Sequence, residues 1–228
     1  MATQEEIIQD QRMATAILDR QTLETIRGEI KYSSLIFNKD KHEYSIDYGN
    51  FTQRLPSVTQ ILSPTKNFMD NQLAILRGKY AHQACDLIDE GTLDMGALDP
   101  SLLPYVVAYE AFLADSWAKV ISTYSEKPLC DKLASYAGTP DRVMIINGDT
   151  CLIDIKTGSI SKHYALQTAA YAHLLRINGC PIDKRYILNL KPNGKYKLIL
   201  HDNETDFRDF LGELIKFLKL EDNRWQQK

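Results

Sequence analysis

The stretch "GTPDRVMIINGDTCLIDIKTG", residues 138–158, decides the fold. It contains two short apolar runs, "RVMII" and "CLIDI", separated by Asn147 and Gly148. Asn-Gly is the strongest short-range hairpin signal, because a type I′ turn needs positive φ at both central residues. The stretch therefore predicts two antiparallel strands of the kind that lie inside a sheet. Three ionisable residues lie along these apolar strands: Asp141, Asp154 and Lys156.

The position of the turn decides which of these residues face one another. If the Asn-Gly pair forms the loop, Asp141 pairs directly with Asp154, with Cβ atoms ~5 Å apart. If the turn slips by one residue towards the C-terminus, Asp141 faces Lys156 instead. Side chains alternate with period two along a strand, so in both registers the two aspartates and the lysine share one face.

This group of charges has a chemical explanation. Two carboxylates at such a distance repel each other, and the pKa of one should rise unless a cation lies between them. Mg²⁺ is typically held by one or two carboxylates together with water and phosphate oxygens. Lys156 would then stabilise charge on a phosphate, or help to position and deprotonate an attacking water. The alternative is an Asp–Lys ion pair on a solvated strand face, which the buried character of "CLIDI" disfavours.

Composition narrows the class of protein. The chain has 228 residues, 44% hydrophobic and 25% charged, which suits one domain with or without a modest extension. A net charge of −3 weakens a nucleic-acid-binding hypothesis without excluding it, because a metal enzyme can keep its basic groups local. No apolar run approaches the ~20 residues that cross a bilayer, and the N-terminus is too polar for a secretory signal. We therefore expect a soluble cytoplasmic protein without a membrane partner. The four dispersed cysteines predict buried reduced thiols.

Hydrophobic periodicity and turn residues predict alternating hairpins and helices. Residues 1–30 are polar with a thin apolar stripe, and we expect an N-terminal helical extension ahead of a domain over residues 31–228. The predicted elements of that domain are, in order, a hairpin around "NKDK", a short helix from Pro56, helices over about 70–89 and 104–124, the central hairpin, a helix over about 162–177, a hairpin around "KPNG" and a helix over about 204–220. This order predicts an α/β (α+β) domain in which helices flank a mixed central β-sheet.

The motif residues resemble the signature of the PD-(D/E)XK nuclease superfamily. "TPD" (139–141) and "DIK" (154–156) match its two pieces in the same strand-turn-strand context. The resemblance is closer to the RecB-type branch, in which a Q-x-x-x-Y helix follows the lysine strand, here Gln167 and Tyr171. "HEYSID…LPSVTQIL" is similar to the N-terminal part of stand-alone phage-encoded exonucleases of this branch. The resemblance implies a restriction-endonuclease-like fold and covers about residues 40–175.

The resemblance also implies a divalent ion, Mg²⁺ or Mn²⁺, bound at the hairpin. His82, Asp141 and Asp154 would be its ligands, and the backbone carbonyl of Ile155 would add another. His82 lies in "RGKYAHQACDLIDEG", which matches the upstream histidine of the branch; the alternative is a structural histidine on a helix. Members with an iron–sulfur cluster carry a tight group of three cysteines near the C-terminus. This chain has no such group, so no cluster is expected.

Further residues receive roles from the same resemblance. Lys156 would be the catalytic lysine, and Glu126, ahead of the "GTPD" strand, would orient a metal-bound water. Gln167 would contact the active site or the DNA backbone, and Tyr171 would support the same pocket. Two alternatives stay open: a surface glutamate at position 126 and a packing aromatic at position 171.

The function implied is that of a Mg²⁺-dependent deoxyribonuclease, with an exonuclease favoured, acting in DNA processing or recombination. Such an enzyme without a motor domain would start at DNA ends or work with a recombination or single-strand annealing partner, in the host cytoplasm if phage-encoded. The alternative is a catalytically inactive, nucleic-acid-binding recombination scaffold of the same fold. The presence of every expected ligand and of the lysine disfavours that alternative. A metal-dependent hydrolase of another substrate is a third hypothesis, supported only by the acidic net charge.

Overall fold

The computed structural model describes residues 34–63, 72–121 and 123–226, with side chains up to residue 221. The helical extension predicted over residues 1–30 lies outside these ranges, and its boundary with the domain stays a prediction. The chain divides into two compact units, of which one ends at Leu55 and the other begins at Pro56.

The first unit contains a three-stranded antiparallel sheet. Its strands are β1 (Ser34–Asn38), β2 (Glu43–Asp47) and β3 (Thr52–Leu55), paired in the order β1-β2-β3. The hairpin predicted around "NKDK" is confirmed, with Asn38 opposite Glu43. Phe37 stacks on Tyr44 across this hairpin, with ring centroids 4.7 Å apart. The third strand was not predicted, because "TQRL" has no apolar alternation that would indicate it.

The second unit is built on a five-stranded mixed sheet. Its strands are β4 (Lys119–Val120), β7 (Arg142–Ile146), β8 (Asp149–Lys156), β9 (Lys184–Leu190) and β10 (Tyr196–His201). They pair in the order β10-β9-β8-β7-β4, and only the β8–β9 pair is parallel. A separate two-stranded sheet contains β5 (Leu129–Asp131) and β6 (Tyr136–Gly138).

Five helices are present in the described part of this unit. They are α1 (Val58–Leu62), α2 (Gln72–Asp89), α3 (Leu103–Ser116), α4 (His163–Ile177) and α5 (Asp206–Gln226). Helix α4 connects the parallel strands β8 and β9, as parallel neighbours require a crossover. Ser57 begins α1 with a capping box, in which Ser57 Oγ accepts from Gln60 N and Gln60 Oε1 accepts from Ser57 N. The predicted mixed central sheet flanked by helices is confirmed.

Each face of the large sheet packs against its own set of helices. Val143 and Leu152 pack on one face in a cluster with residues of α1, α4 and α5. Met144 and Ile153 pack on the other face with residues of α2 and α3. Because side chains alternate, Asp154 belongs to the first face and the residue before Val143, an arginine, belongs to the second.

Two local predictions were wrong or incomplete. The helix predicted over 104–124 ends at Ser116, because Trp117 adopts left-handed backbone with φ of 51° and Lys119–Val120 joins the sheet beside β7. The small β5–β6 hairpin was not predicted, since three-residue strands carry too little periodicity.

The buried unpaired thiols are confirmed for all four cysteines. Within the described ranges, the helices are either too short or too polar to cross a bilayer.

Candidate metal centre

The turn between β7 and β8 fixes the register of the central hairpin. Both residues of the Asn-Gly turn have positive φ, 53° and 90°, as a type I′ turn requires. Arg142 lies opposite Ile153 at the far end of the ladder. Continuing this register by one residue places Asp141 opposite Asp154. The first of the two predicted registers is therefore correct, and the slipped one is wrong.

Asp141, His82 and Ile155 meet where β7 begins and β8 ends. The Ile155 N–H donates a hydrogen bond of 2.7 Å to Asp141 Oδ2. His82, on α2, has Nδ1 3.6 Å from the same carboxylate oxygen and Nε2 2.9 Å from the Ile155 carbonyl oxygen. Helix α2 thus carries a candidate ligand from a distant part of the chain to the end of β8. Three of the four predicted metal ligands lie together at this point.

Asp154 is the most unusual charge of the site. Its side chain is 0% exposed, and Oδ2 forms an ion pair with Lys156 Nζ. Oδ1 has no hydrogen-bond partner among the described residues, although buried polar atoms normally have one. Burial and the nearby charge of Asp141 raise the pKa of Asp154 to about 6, against the opposing effect of Lys156. The fold therefore holds a carboxylate that is short of positive charge.

Lys156 is placed to act beside these carboxylates. Its side chain is 18% exposed, and Nζ lies 5.0 Å from the centre of the Tyr164 ring. Burial lowers the pKa of Lys156, but the charges of Asp154 and Asp141 outweigh burial and raise it above its usual value. The side chain is accordingly an ammonium group at neutral pH.

Glu126 joins the site through an unusual backbone conformation. Its φ is 51°, in the left-handed region that non-glycine residues rarely adopt, and its N–H donates to the carbonyl oxygens of Pro140 and Asp141 at 2.9 and 3.2 Å. Ligand atoms of Glu126, His82 and Asp141 all lie within 4.8 Å of one another. Burial, Asp141 and Asp86 raise the pKa of Glu126 to about 8. This group contains Glu126, which was predicted only to orient a water, and does not contain the predicted ligand Asp154.

Next to the site lies a buried arginine with three carboxylates, which we call the Arg142 cluster. Arg142 is 2% exposed; its Nε lies 2.5 Å from Asp89 Oδ2, and its Nη1 lies 3.2 Å from Glu126 Oε1. Nη2 forms an ion pair with Asp86, and Nη1 also donates to the Asp141 carbonyl oxygen at 2.8 Å. Arg142 therefore ties α2 and the loop of Glu126 to the residue that precedes β7.

The Arg142 cluster was not predicted from the sequence. The signal that could have revealed part of it is spacing, because His82, Asp86 and Asp89 lie four and three apart and so share one face of a helix. Tyr109, on α3, completes this side by donating to both oxygens of Asp89 at 2.8 and 2.9 Å. No local pattern marks Tyr109, whose partner lies 20 residues away.

Gln167 and Tyr171 lie on one face of α4, as predicted, and contact each other. Gln167 Nε2 donates to the Tyr171 hydroxyl at 3.3 Å, and both side chains are buried. The Tyr171 ring lies so close to Gly138 that a Cβ added there would be 2.5 Å from Cε1. Tyr171 therefore packs directly against the strand that leads to Asp141. This placement agrees with a role in supporting the site and also with simple packing.

The donors at this point suit a hard divalent cation. Within the described ranges, five carboxyl groups lie around two permanent cations, a formal excess of three negative charges when all five are ionised: Asp86, Asp89, Glu126, Asp141 and Asp154 against Arg142 and Lys156. Carboxylate and carbonyl oxygens are ligands of hard divalent cations, and one imidazole is compatible with transition metals as well. The unpartnered Oδ1 of Asp154 is the observation that such an ion would explain.

Comparison with known proteins adds little to this geometry. No family model and no curated protein matches the chain. A solved structure from Eubacterium rectale, described as a "putative exonuclease", has 10% identity and a TM-score of 0.43, covering 75% of this chain and 79% of that one. The structure of a protein named SSO0001 has 15% identity and a TM-score of 0.36, covering 72% and 75%. Both scores are below 0.5, so a functional conclusion for this chain rests on its own site residues.

Proposed function

We propose that this protein is a metal-dependent nuclease that hydrolyses phosphodiester bonds in DNA, and that it acts as an exonuclease. The observation that carries the proposal is the fully buried Asp154, with an unpartnered oxygen, beside the ion-paired Lys156 at the end of β8. A fold that only binds nucleic acid has no need to keep a fully buried carboxylate with an oxygen that lacks a hydrogen-bond partner in the described ranges, because such burial costs folding free energy.

The residues that would hold the cation are His82, Asp141, Asp154 and the carbonyl oxygen of Ile155, with Glu126 beside them. When bound, Mg²⁺ or Mn²⁺ would polarise the scissile phosphate and lower the pKa of a bound water. These ligands lie on β8, at the start of β7 and on α2, so secondary-structure elements hold their positions relative to one another.

Lys156 would act as an electrostatic group at the same phosphate. Its ammonium is held in place by Asp154 and by the face of Tyr164. A positioned cation stabilises the charge that develops on phosphate oxygens as the new bond forms. Glu126, with its fixed backbone, would hold an attacking water by accepting a hydrogen bond from it.

The test uses purified protein with end-labelled linear DNA and with closed circular DNA, in Mg²⁺, Mn²⁺ or chelator. We expect metal-dependent loss of linear DNA, with circles left intact. Nicked circles would show an endonuclease instead. The absence of metal-dependent cleavage of either substrate contradicts the proposed activity.

The biological setting is inferred from the resemblance alone. A role in phage or prophage recombination, a single-strand annealing partner and a cytoplasmic location stay predictions.

A further inference from the structure

A cavity of about 260 Å³ opens beside the candidate metal centre. On the α2 side, Ala74, Gly78 and His82 follow one another at four-residue steps and so share one helix face. The opposite side is formed by Lys156 and by the residues 157–158 that follow β8. Two small residues leave the room on the helix face, and the cavity reaches the metal centre through His82.

One wall of the cavity carries a cation that has no anionic partner in the described part of the chain. Arg77 lines it and forms no ion pair with any residue in the described ranges, and its Nε is buried without a hydrogen-bond partner there. Its guanidinium group lies 5.9 Å from the centre of the Tyr105 ring, a cation–π contact. Such a contact leaves the N–H groups of the guanidinium without an acceptor. Lys156, by contrast, is already paired with Asp154. Arg77 therefore has donors available for a phosphate, which guanidinium binds through two parallel hydrogen bonds.

The remaining walls are apolar or aromatic. Ile75 is 61% exposed at the cavity, and Tyr164 lies at its other side with Lys156 against its ring. Exposed apolar surface beside a guanidinium that has no ion pair among the described residues suits a ligand with a charged part and a flat apolar part. A nucleotide has both, because its base packs on aromatic or aliphatic side chains while its phosphate takes the cation.

The size of the cavity decides how much of a nucleic acid it accepts. Its volume is below the roughly 300 Å³ at which pockets for drug-sized ligands begin. A cavity of this size, open to solvent, takes about one nucleotide. A base that packs against Ile75 and Tyr164 there cannot stay stacked and paired in a duplex, so an unpaired strand enters without the cost of opening a base pair.

We propose that this cavity binds one nucleotide of an unpaired DNA strand next to the scissile bond, with Arg77 on its phosphate and Ile75 and Tyr164 beside its base. The proposal rests on the proposed nuclease function and names its substrate: a single strand or a frayed end. Gly78 sets the width of the subsite, because a side chain at this position extends into it.

Binding is measured by fluorescence anisotropy, with Ca²⁺ in place of Mg²⁺, using a short fluorescein-labelled oligothymidylate, either single or annealed to its complement. Wild-type protein is expected to bind the single strand more tightly than the duplex. Arg77→Ala should raise the single-strand Kd by roughly 10- to 100-fold, the loss typical of a charge-assisted hydrogen-bonded pair. The matched control is Lys79→Ala, which removes an exposed cation from the same helix outside the cavity and should change Kd by less than about twofold.

A second variant separates binding from folding. In Gly78→Ala the added Cβ would lie 3.5 Å from Thr157 Oγ1, an ordinary contact, and alanine favours a helix more than glycine does. Its melting temperature should not fall, while its single-strand Kd should rise several-fold. Thymidine 3′,5′-bisphosphate should compete for the site in wild-type protein and not in Arg77→Ala.

The outcomes distinguish the two proposals. Cleavage by the wild type with an unchanged single-strand Kd in Arg77→Ala overturns the subsite and leaves the nuclease. Equal losses in Arg77→Ala and Lys79→Ala also overturn the subsite. Absence of cleavage overturns the nuclease, whereas Arg77-dependent binding of the bisphosphate would still support a nucleotide site.

Discussion

Two groups of buried charge lie side by side at the ends of β7 and β8, and they differ in how their charge is balanced. In the Arg142 cluster a buried cation meets three carboxylates and a carbonyl oxygen. At the candidate metal centre the fully buried Asp154 meets one lysine and retains an oxygen without a partner among the described residues. Burial is common to both groups, so burial does not identify the functional one. The groups differ instead at Asp154, whose unpartnered oxygen among the described residues is what a bound cation would explain.

The largest expected effect is on cleavage. Asp154→Asn removes the unbalanced charge and Lys156→Ala removes its partner, and each should reduce metal-dependent DNA cleavage to background while the protein stays folded. The matched control is Lys184→Ala, which removes the exposed lysine paired with Asp149 and should leave the rate unchanged. Gel assays of cleavage together with circular dichroism provide the measurement. Wild-type rates in either of the first two variants would refute the assignment.

The next largest effect is on the stability of the fold and concerns the Arg142 cluster. Arg142→Met leaves the three carboxylates without their cation, and the free energy of unfolding should fall by about 3–5 kcal/mol. Urea denaturation measures the change. Arg54→Ala is the control, because its ion pair with Glu43 is exposed and should be worth less than about 1 kcal/mol. A loss in Arg142→Met no larger than in the control would mean that the cluster does not hold the fold.

The third expected effect is on the stabilisation of the folded protein by a divalent metal ion. Mg²⁺ or Mn²⁺ at about 100 times its Kd should stabilise the wild type by about 2.7 kcal/mol, since it binds the folded state alone. Asp141→Asn and His82→Ala should lose most of this gain, whereas Glu110→Gln, on the exposed side of α3, should keep it. Thermal shift with and without chelator gives the comparison. A full gain in His82→Ala would return His82 to a structural role.

The smallest expected effect is on pH dependence. Burial, with the charge of Asp141, raises the pKa of Asp154 to about 6 and that of Glu126 to about 8, and Asp154 dominates because Glu126 is 44% exposed. A raised carboxyl pKa means that the folded protein binds the proton more tightly than the unfolded chain. The stabilisation is fully present below the pKa values of the unfolded chain, 3.8 for Asp154 and 4.5 for Glu126, and is lost as pH rises from there to the raised values. The metal-free melting temperature should therefore fall between about pH 4 and 8, mostly between about pH 4 and 6 where Asp154 titrates, and the gain from metal should grow over the same range. In Asp154→Asn the metal-free melting temperature should fall less steeply with pH.

The sequence was sufficient for the parts that depend on local pattern. The Asn-Gly turn predicted the central hairpin and limited it to two registers. Turn residues and periodicity likewise predicted the "KPNG" hairpin and the helix that carries Gln167. Choosing between the two registers needed the backbone itself, because Gly148 could have been the first or the second residue of the turn.

The features that the sequence analysis missed depend mostly on contacts between residues far apart in the sequence. Arg142 meets Glu126, Asp89 and Asp86 across 16, 53 and 56 residues of sequence, and no local rule connects such positions. Glu126 likewise has left-handed backbone and donates its N–H to the carbonyl oxygens of Pro140 and Asp141, contacts that no local pattern indicates. The helix beyond Ser116 was overestimated because its apolar positions continue into an edge strand.

The long sequence separations within the Arg142 cluster have a consequence for folding kinetics. An arginine loses its hydration only once its acceptors are in place, and these come from a helix, a loop and a strand that must already have been assembled. We therefore expect these contacts to form late, after the rate-limiting step. Substitutions at Arg142 should hence accelerate unfolding much more than they slow refolding, so that the cluster determines how long each folded molecule lasts.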